Sequence, residues 1–284
     1  MISKTIQFQI DGMKNNLLTV LLIFATAFVV IYIGYRHDHL KEAFAYLLVM
    51  WLCSFCIDLY AIKTPVKTEL PVRQPKKETF YFLLCAFLGT IFMCIRFSGF
   101  VAWEELSGIV KMALIPLVLF AFPIALAIIL LLLKYKPRDL GIRLQGLILI
   151  LPVIALCAIT NQLISPQSLT WDAIMAESGG IAGALFSGFI MAGLSEEFFR
   201  VVGQTRLGTL LQNKGFGWFI TTVLWALMHA PKWYGESLDL TETLLSSMRI
   251  IPIGLMWGYM THRTKSILPA TIVHGLNFWG LQNF

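Results

Sequence analysis

The sequence has little charge and no polar stretch long enough to form a separate soluble domain. Only 13% of its 284 residues are Asp, Glu, Lys or Arg, whereas soluble proteins carry about 25%. Hydrophobic residues make up 57% of the chain. Apolar runs near the length that a bilayer requires recur along the whole sequence. These features exclude a soluble enzyme with a single anchor and predict a polytopic membrane protein.

Common metal and redox motifs are also missing. The five cysteines lie in apolar runs and resemble small buried hydrophobic residues. Cys53 and Cys56 form a CxxC pair, but no second pair accompanies it. The HExxH pattern of soluble zinc proteases does not occur. A disulfide framework or zinc-ribbon protein is therefore not expected, and the cofactor requirement stays open.

The apolar runs predict an all-α membrane protein, a polytopic bundle of seven to nine transmembrane helices. The fifth, eighth and ninth runs are short for complete spans. The predicted segments are 17–35, 43–62, 79–101, 108–133, 145–160, 180–205, 215–230, 249–262 and 266–282.

Basic residues are concentrated in alternate loops, at 63–77, 134–143, 206–214 and 263–265. The positive-inside rule therefore predicts a cytoplasmic amino terminus. We expect an integral protein of the plasma membrane. In a soluble chain the net charge of +6 would suggest nucleic acid. Here it reflects topology, so the expected partners are the lipid bilayer and no nucleic acid. We predict two regions, amino-terminal helices over 1–133 and a core over 134–284.

Ionisable side chains within spans are costly and are candidates for function. Asp58 and Arg96 are interpreted as structural contacts near helix ends or in ion pairs. The more informative set lies between residues 196 and 277. It consists of Glu196, Glu197, Arg200, His229, His274 and Asn277.

Helix geometry predicts that this polar set converges at one depth. Glu196 lies eighteen residues before the Lys214 turn and His229 fifteen residues after it. At about 1.5 Å per residue, the two side chains reach similar depths on antiparallel helices. Glu196 and Arg200 are four residues apart, so we expect them to share a face and to pair.

Such a cluster suits hydrolysis. A carboxylate that stays ionised can take a proton from water as a general base. A histidine can polarise the water or protonate the leaving amine, and an amide or imidazole N–H can stabilise an oxyanion. Two alternatives stay open: the same residues could bind a divalent metal, or they could form a polar network that only holds helices together.

Three segments resemble the CPBP family, which contains type II CAAX prenyl endopeptidases and bacteriocin-processing or abortive-infection membrane proteins. They are GLSEEFFR at 193–200, WALMH at 225–229 and RTKSILPATIVHGLN at 263–277. The LGIR segment at 140–143 is similar as well, and the resemblance covers roughly 135–284. It implies an α-helical membrane bundle and an intramembrane endopeptidase in which Glu and His activate a water. The best-described substrates of the family are prenylated CAAX tails.

The chain departs from the family motifs EExxxR, FxxxH and HxxxN. Aligned on Arg200, Ser195 takes the first glutamate position, which in the family activates water, and Glu196 takes the second. Aligned on the glutamate pair, Arg200 arrives one residue early, a shift that a π-bulge can absorb. Trp225 replaces Phe in the second motif, and Asn277 comes one residue early in the third.

The leading hypothesis is an intramembrane endopeptidase whose substrate is a membrane-associated peptide, CAAX-type and prenylated or of another kind. Its expected catalytic residues are Glu196 or Glu197 as base, Arg200 orienting the base, His229 and His274 assisting, and Asn277 as polar support. The alternative is a catalytically inactive CPBP-fold scaffold or a bacteriocin immunity or regulatory protein. Ser195 in the first glutamate position is the sequence argument for that alternative.

Overall fold

The computed structural model describes residues 2–66, 68–97, 122–164 and 178–277, together with Gly280 and Gln282. All regular elements in these residues are helical. The first six α-helices are α1 Ile2–Asn15, α2 Leu17–Arg36, α3 Leu40–Lys63, α4 Pro75–Phe97, α5 Phe122–Leu132 and α6 Ile150–Ile164. Short 3₁₀ turns at Pro137–Leu140 and Leu147–Leu149 lie between α5 and α6.

The carboxy-terminal helices follow after residue 177. They are α7 Ile181–Leu185, a π-helical segment at Phe186–Leu194, α8 Ser195–Leu210, α9 Lys214–Leu227, α10 Ala230–Ser237, α11 Leu240–Arg249, α12 Ile251–Thr264 and α13 Leu268–Gly275. The helix α7, the π segment and α8 run on without a break as one helix of 30 residues.

Five helices in the described part of the chain are long and apolar enough to cross a membrane. They are Leu17–Arg36, Leu40–Lys63, Pro75–Ile95, Leu147–Ile164 and Ile181–Leu210. The fifth predicted segment is therefore longer than expected, whereas α9, α12 and α13 are short. Residues 98–121, which complete two of the predicted spans, lie outside the described residues. The prediction of an all-α membrane bundle is confirmed.

Two hydrophobic clusters hold the bundle together, and each combines residues from both sides of position 133. In the first, Cys53 and Ile57 of α3 belong with Trp257 and Met260 of α12. In the second, Phe82 of α4 belongs with residues of α5 and α8. The division into regions 1–133 and 134–284 stays a prediction. Residues of both regions pack together in each of the two clusters.

The basic loops meet on one face of the bundle, formed by residues 68–74, 133–149, 211–213 and 265–267, which we call the basic face. Glu69 binds Lys265 at 2.8 Å and Lys214 at 3.3 Å. Arg143 donates to the hydroxyl oxygen of Thr68 at 3.0 Å. Partial burial acts to raise the pKa of Glu69, but the two lysines outweigh it, so this pKa lies below its usual value. Loops that are far apart in sequence therefore lock together at this face.

The other end of the bundle is formed by the turn at 37–39 and by the short helices α10 and α11, and we call it the opposite face. Arg36 at the end of α2 binds Glu242 of α11 at 2.6 Å. His37 lies 3.5 Å from the same carboxylate. These contacts lie at the carboxy-terminal end of α2, and α2 spans the bundle. The opposite face is therefore one helix length away from the amino-terminal end of α2.

A buried ion pair joins α4 to α8. Arg206 donates through Nε to Glu78 Oε2 at 2.9 Å, and both side chains are almost fully buried. The other carboxylate oxygen, Glu78 Oε1, accepts from Tyr135 Oη at 2.7 Å. It also accepts from the backbone N–H groups of Gln74 at 2.7 Å and Arg73 at 3.1 Å. This pair therefore holds the start of α4 against the family-like part of the chain.

Asp58 makes structural contacts of the kind expected for it. Its carboxylate accepts from Tyr259 Oη at 2.6 Å and from Gln9 Nε2 at 2.9 Å, and it lies 3.2 Å from Arg263 Nε. It joins α1 and α3 to α12. The side chain of Arg96 lies outside the described residues.

Candidate active site

Two antiparallel helices, α8 and α9, place the glutamates beside His229. The turn at 211–213 connects them, and Asn213 begins α9 by accepting the backbone N–H of Phe216 at 2.9 Å. The backbones approach closely at Gly208 and Gly217, where a Cβ on Gly217 would lie 2.2 Å from the nitrogen of Gly208. The predicted hairpin is therefore present, and glycine makes its tight packing possible.

Glu196 faces a cavity. Its Oε2 accepts a hydrogen bond from Trp225 Nε1 at 2.5 Å. The same oxygen lies 3.8 Å from His274 Nε2 and 3.9 Å from His229 Nε2. The side chain is 28% exposed. Three of the predicted residues thus meet at one carboxylate oxygen that remains accessible.

Glu197 points into the protein and is only 1% exposed. Its Oε1 pairs with Arg200 and lies 2.9 Å from His274 Nδ1. The sequence predicts that Arg200 pairs with Glu196, and this is wrong. Adjacent helix positions differ by about 100° in direction, which turns Glu197 toward Arg200 and Glu196 toward the cavity.

Arg200 is fixed on several sides. Its Nη1 donates to the carbonyl oxygen of Gly254 at 3.0 Å, and its Nη2 donates to Glu197. The guanidinium carbon lies 4.4 Å from the ring centre of Trp225 and 5.1 Å from that of Trp257. Aromatic faces attract such a cation. Arg200 therefore connects α8, α9 and α12 beneath the cavity.

Hydrogen bonds at Nδ1 orient both histidines. His229 Nδ1 lies 2.9 Å from the carbonyl oxygen of Trp225, which can only accept. His274 Nδ1 faces the Glu197 carboxylate, which Arg200 keeps as an acceptor. Both rings therefore carry their proton on Nδ1 when neutral, and both leave Nε2 free to accept on the side of Glu196.

The π-helical segment ends immediately before the glutamates. Ser195 begins α8, and its hydroxyl donates to the Met191 carbonyl oxygen in the preceding turn. The spacing from Glu196 to Arg200 is ordinary α-helix, so no π-bulge absorbs the one-residue shift there. The π segment instead packs against α13, where a Cβ on Gly193 would lie 2.5 Å from the carbonyl oxygen of Thr271. It thereby brings His274 to the glutamates.

Asn277 is not brought to the carboxylate by any contact of the described residues. Its side-chain amide donates to Gln282 at 3.4 Å, and it borders a small apolar cavity beside Trp257 and Val273. Its backbone N–H donates to the His274 carbonyl oxygen at 2.9 Å, which closes the end of α13.

The cavity beside Glu196 has a volume of about 250 Å³. Part of its wall is formed by Gly89, Phe92 and Met93 of α4. Helix α4 lies outside the segment that resembles the family, so the sequence did not indicate this part of the wall. In the motif comparison, Trp225 stands only in the place of a Phe. Its indole N–H, which Phe lacks, is the feature of the sequence that could have indicated a hydrogen bond to Glu196. The other lining residues are Phe122, Pro123, Ser187, Met191, Ala192, Ser195, Phe199, Met228 and His229.

A metal site was one alternative for these residues. Within the part of the chain that the structure describes, no group of three His, Cys, Asp or Glu side chains could hold a metal ion. The arrangement at Glu196 is an acidic oxygen facing two imidazole nitrogens across distances that one water molecule can bridge.

Comparison with known proteins identifies the same part of the chain. Residues 178–279 match the family model described as type II CAAX prenyl endopeptidase Rce1-like. No curated protein and no solved structure matches the chain. The matched segment contains Glu196, His229 and His274, and it supports an intramembrane protease-type function. Residues 178–279 are therefore similar to the Rce1-like family, and this similarity is consistent with the CPBP family.

Proposed function

We propose that the protein is an intramembrane endopeptidase of the plasma membrane in which Glu196 is the general base. The observation that carries the proposal is the position of Glu196 Oε2. It borders an open cavity and lies within 4 Å of Nε2 of both His229 and His274. A water held among these atoms has an acceptor for each of its protons, so its oxygen lone pair points away toward a substrate.

The reaction uses this water. As its oxygen attacks the scissile carbonyl carbon, one proton passes to Glu196. The carbon–nitrogen bond then breaks, and the carboxylic acid of Glu196 returns the proton to the departing amide nitrogen. The second proton of the water stays on the attacking oxygen, which donates it as a hydrogen bond to Nε2 of an imidazole. The products are an amine and a carboxylic acid, which gives its remaining proton to water.

The remaining residues hold these groups in position. Glu197 fixes the tautomer of His274 and neutralises Arg200, and Arg200 supports the indole ring of Trp225. Trp225 in turn donates to the base. Asn277 stabilises the end of α13 behind His274. In this assignment Glu196 and Glu197 correspond to the glutamate pair of the family motif, and Ser195 lies outside it.

The cavity favours an apolar group on the substrate. Its wall is rich in Phe and Met side chains, and flexible Met side chains adapt to irregular apolar shapes. A membrane-associated peptide with large apolar residues fits this lining, as does a prenylated one. The apolar side chains are Phe92, Met93, Phe122, Met191, Phe199 and Met228.

The test is cleavage of a fluorogenic peptide panel, prenylated and unprenylated, by purified protein in detergent with and without EDTA. Wild type should release product, and Glu196→Gln should be slower by at least about 100-fold, as for loss of a general base. Glu236→Gln is the matched control, since Glu236 is an exposed residue of α10 that contacts Lys232. The EDTA arm shows whether a metal takes part.

Equal cleavage by wild type and Glu196→Gln would contradict the proposal. A folded wild type that cleaves no peptide of the panel would favour the alternative, a scaffold or immunity protein with this fold.

A further inference from the structure

The amino-terminal helix α1, Ile2–Asn15, lies apart from the candidate active site. It precedes the segment that resembles the family, and none of its described residues lines the cavity beside Glu196. With 14 residues it is too short to cross a bilayer, which requires about 20. It carries charged as well as large apolar side chains, so neither water nor the hydrocarbon core suits the whole helix.

The carboxy-terminal end of α1 lies at the boundary of the membrane. Asn16, with φ −133° and ψ 42°, separates α1 from α2. Helix α2 has 20 residues, which corresponds to roughly 30 Å, the thickness of the hydrocarbon core. A Cβ on Gly215 would lie 2.9 Å from Asn16 Oδ1, so Asn16 packs against the start of α9 next to the basic face. Because α2 alone crosses the core, α1 stays at the membrane surface on the side of the basic face.

One side of α1 is fixed to the protein. Thr5 is completely buried. Gln9 Nε2 donates to Asp58 Oδ2 at 2.9 Å, and the guanidinium carbon of Arg263 lies 4.3 Å from the ring centre of Phe8. Asp58 and Arg263 lie near the ends of α3 and α12. These contacts fix how α1 is rotated about its own axis.

This rotation leaves α1 with two further sides of different chemistry. Four large apolar side chains follow one another at intervals of four, four and three residues, and each is 39 to 63% exposed. These residues, which we call the apolar stripe, are Ile2, Ile6, Ile10 and Met13. The polar side consists of the exposed residues Lys4, Gln7, Asp11 and Lys14. At about 100° per residue, the protein side, the apolar stripe and the polar side point roughly 100–135° apart.

A bilayer surface satisfies the apolar stripe and the polar side at once. Contiguous apolar side chains are unfavourable in water, and interfacial helices insert such a stripe at the boundary of headgroups and acyl chains. The stripe is followed along the chain by Leu17, Leu18 and Leu21, which are 52 to 63% exposed on the membrane-spanning helix α2. Lys4 and Lys14 on the polar side suit anionic headgroups, which attract lysine near the membrane surface. The surroundings of α1 therefore fit lipid.

We propose that α1 is an interfacial helix that binds the bilayer surface on the side of the basic face, with its apolar stripe inserted and Lys4 and Lys14 at the level of the phosphate groups. The partner is a phospholipid leaflet with anionic headgroups, which the positive-inside rule predicts to be the cytoplasmic leaflet. Through Gln9, this contact with lipid is joined to Asp58 and so to α3 and α12. The proposal goes beyond the protease function and does not depend on it.

The test is spin labelling of single cysteines in the full-length protein, reconstituted into nanodiscs of phosphatidylcholine and phosphatidylglycerol. The five native cysteines are first replaced. Ile6→Cys and Ile10→Cys report on the apolar stripe. Gln7→Cys and Asp11→Cys are the matched controls, each one residue further along the same helix. Each label is exposed to oxygen, which concentrates in the hydrocarbon region, and to a neutral nickel chelate, which stays in water.

The ratio of oxygen accessibility to nickel-chelate accessibility should be several-fold higher for Ile6→Cys and Ile10→Cys than for Gln7→Cys and Asp11→Cys. Equal ratios at all four positions would place α1 in water and overturn the inference. Labels on the stripe that neither reagent reaches would show that protein covers it, which would overturn the inference as well. Since no peptide is cleaved in this experiment, failure of the protease function can be told apart from failure of this inference.

Discussion

Two arginines of α8 each form a buried ion pair with a glutamate, and the surroundings of the two pairs differ. Near the basic face, Arg206 binds Glu78, whose two oxygens are satisfied by Tyr135, two backbone N–H groups and the guanidinium. Six residues earlier, Arg200 binds Glu197, whose Oε2 has no hydrogen-bond partner in the described residues. Each arginine has one nitrogen without a partner in the described residues, so the difference lies in the carboxylates: both oxygens of Glu78 are bonded, whereas only one oxygen of Glu197 is.

The difference shows what separates a structural ion pair from a candidate active site. Both pairs are nearly fully buried, so burial does not distinguish them. Only the second has a neighbouring carboxylate, Glu196, that opens onto a cavity and faces two imidazoles. A buried ion pair alone therefore does not indicate an active site. The indication is that the accessible carboxylate of Glu196 and two imidazoles lie close together beside a cavity.

Glu78→Gln tests the structural pair and should produce the largest loss of stability. Removal of one partner leaves Arg206 buried and uncompensated, at a cost of about 3–5 kcal/mol. Thermal unfolding in detergent measures this loss. The fraction that remains folded should cleave peptide at the wild-type rate. Loss of cleavage at unchanged stability would remove the distinction between the two pairs.

Glu197→Gln tests the second pair and should lower both quantities. It leaves Arg200 without its carboxylate, and it removes the acceptor that fixes the tautomer of His274. We expect a destabilisation of up to about 3–5 kcal/mol, as for other buried pairs. Unlike Glu78→Gln, this variant should also lose cleavage per folded molecule, measured as the initial rate at equal folded fractions. Wild-type rates per folded molecule would contradict the assigned role.

Trp225→Phe sharpens the comparison further, because it keeps an aromatic ring against Arg200 and removes the donor to Glu196, together with part of a buried ring that packs on Gly254. A hydrogen bond to a charged group is worth about 1.5–3 kcal/mol, so cleavage should slow by about tenfold or more. The decrease should appear in kcat per folded molecule, while the smaller buried ring lowers the unfolding temperature. An unaltered kcat would show that the indole N–H does not position the base.

Asn277→Ala should have the smallest effect. Its side chain contacts Gln282 and not the glutamates, whereas its contribution to α13 comes from the backbone. Changes at such positions usually stay within about 0.5 kcal/mol. We expect a cleavage rate within about twofold of wild type by the same scale. A loss comparable to that of Glu196→Gln would restore the direct catalytic role that the sequence suggests.

Much of the fold and the membership of the site could be predicted from the sequence. Apolar run length indicated the helical membrane bundle, and residue spacing around Lys214 brought Glu196 and His229 to one depth. The roles of Glu196 and Glu197 could not be predicted, because they depend on how α8 is rotated relative to α12 and α13. That rotation follows from the packing of Gly193 on Thr271.

The wall from α4 was likewise not predictable. Gly89, Phe92 and Met93 belong to an ordinary apolar span with no motif of its own. Their position beside Glu196 depends on tertiary contacts such as the packing of Phe82 on Phe199. Local sequence does not encode such distant neighbours.

The most direct test of the account compares Glu196→Gln with Glu78→Gln in one experiment, with unfolding temperature and cleavage rate measured on the same preparations. The account predicts that Glu196→Gln retains the wild-type unfolding temperature and loses cleavage, whereas Glu78→Gln unfolds at lower temperature and cleaves normally while folded. Cleavage by folded Glu196→Gln at the wild-type rate would contradict the account.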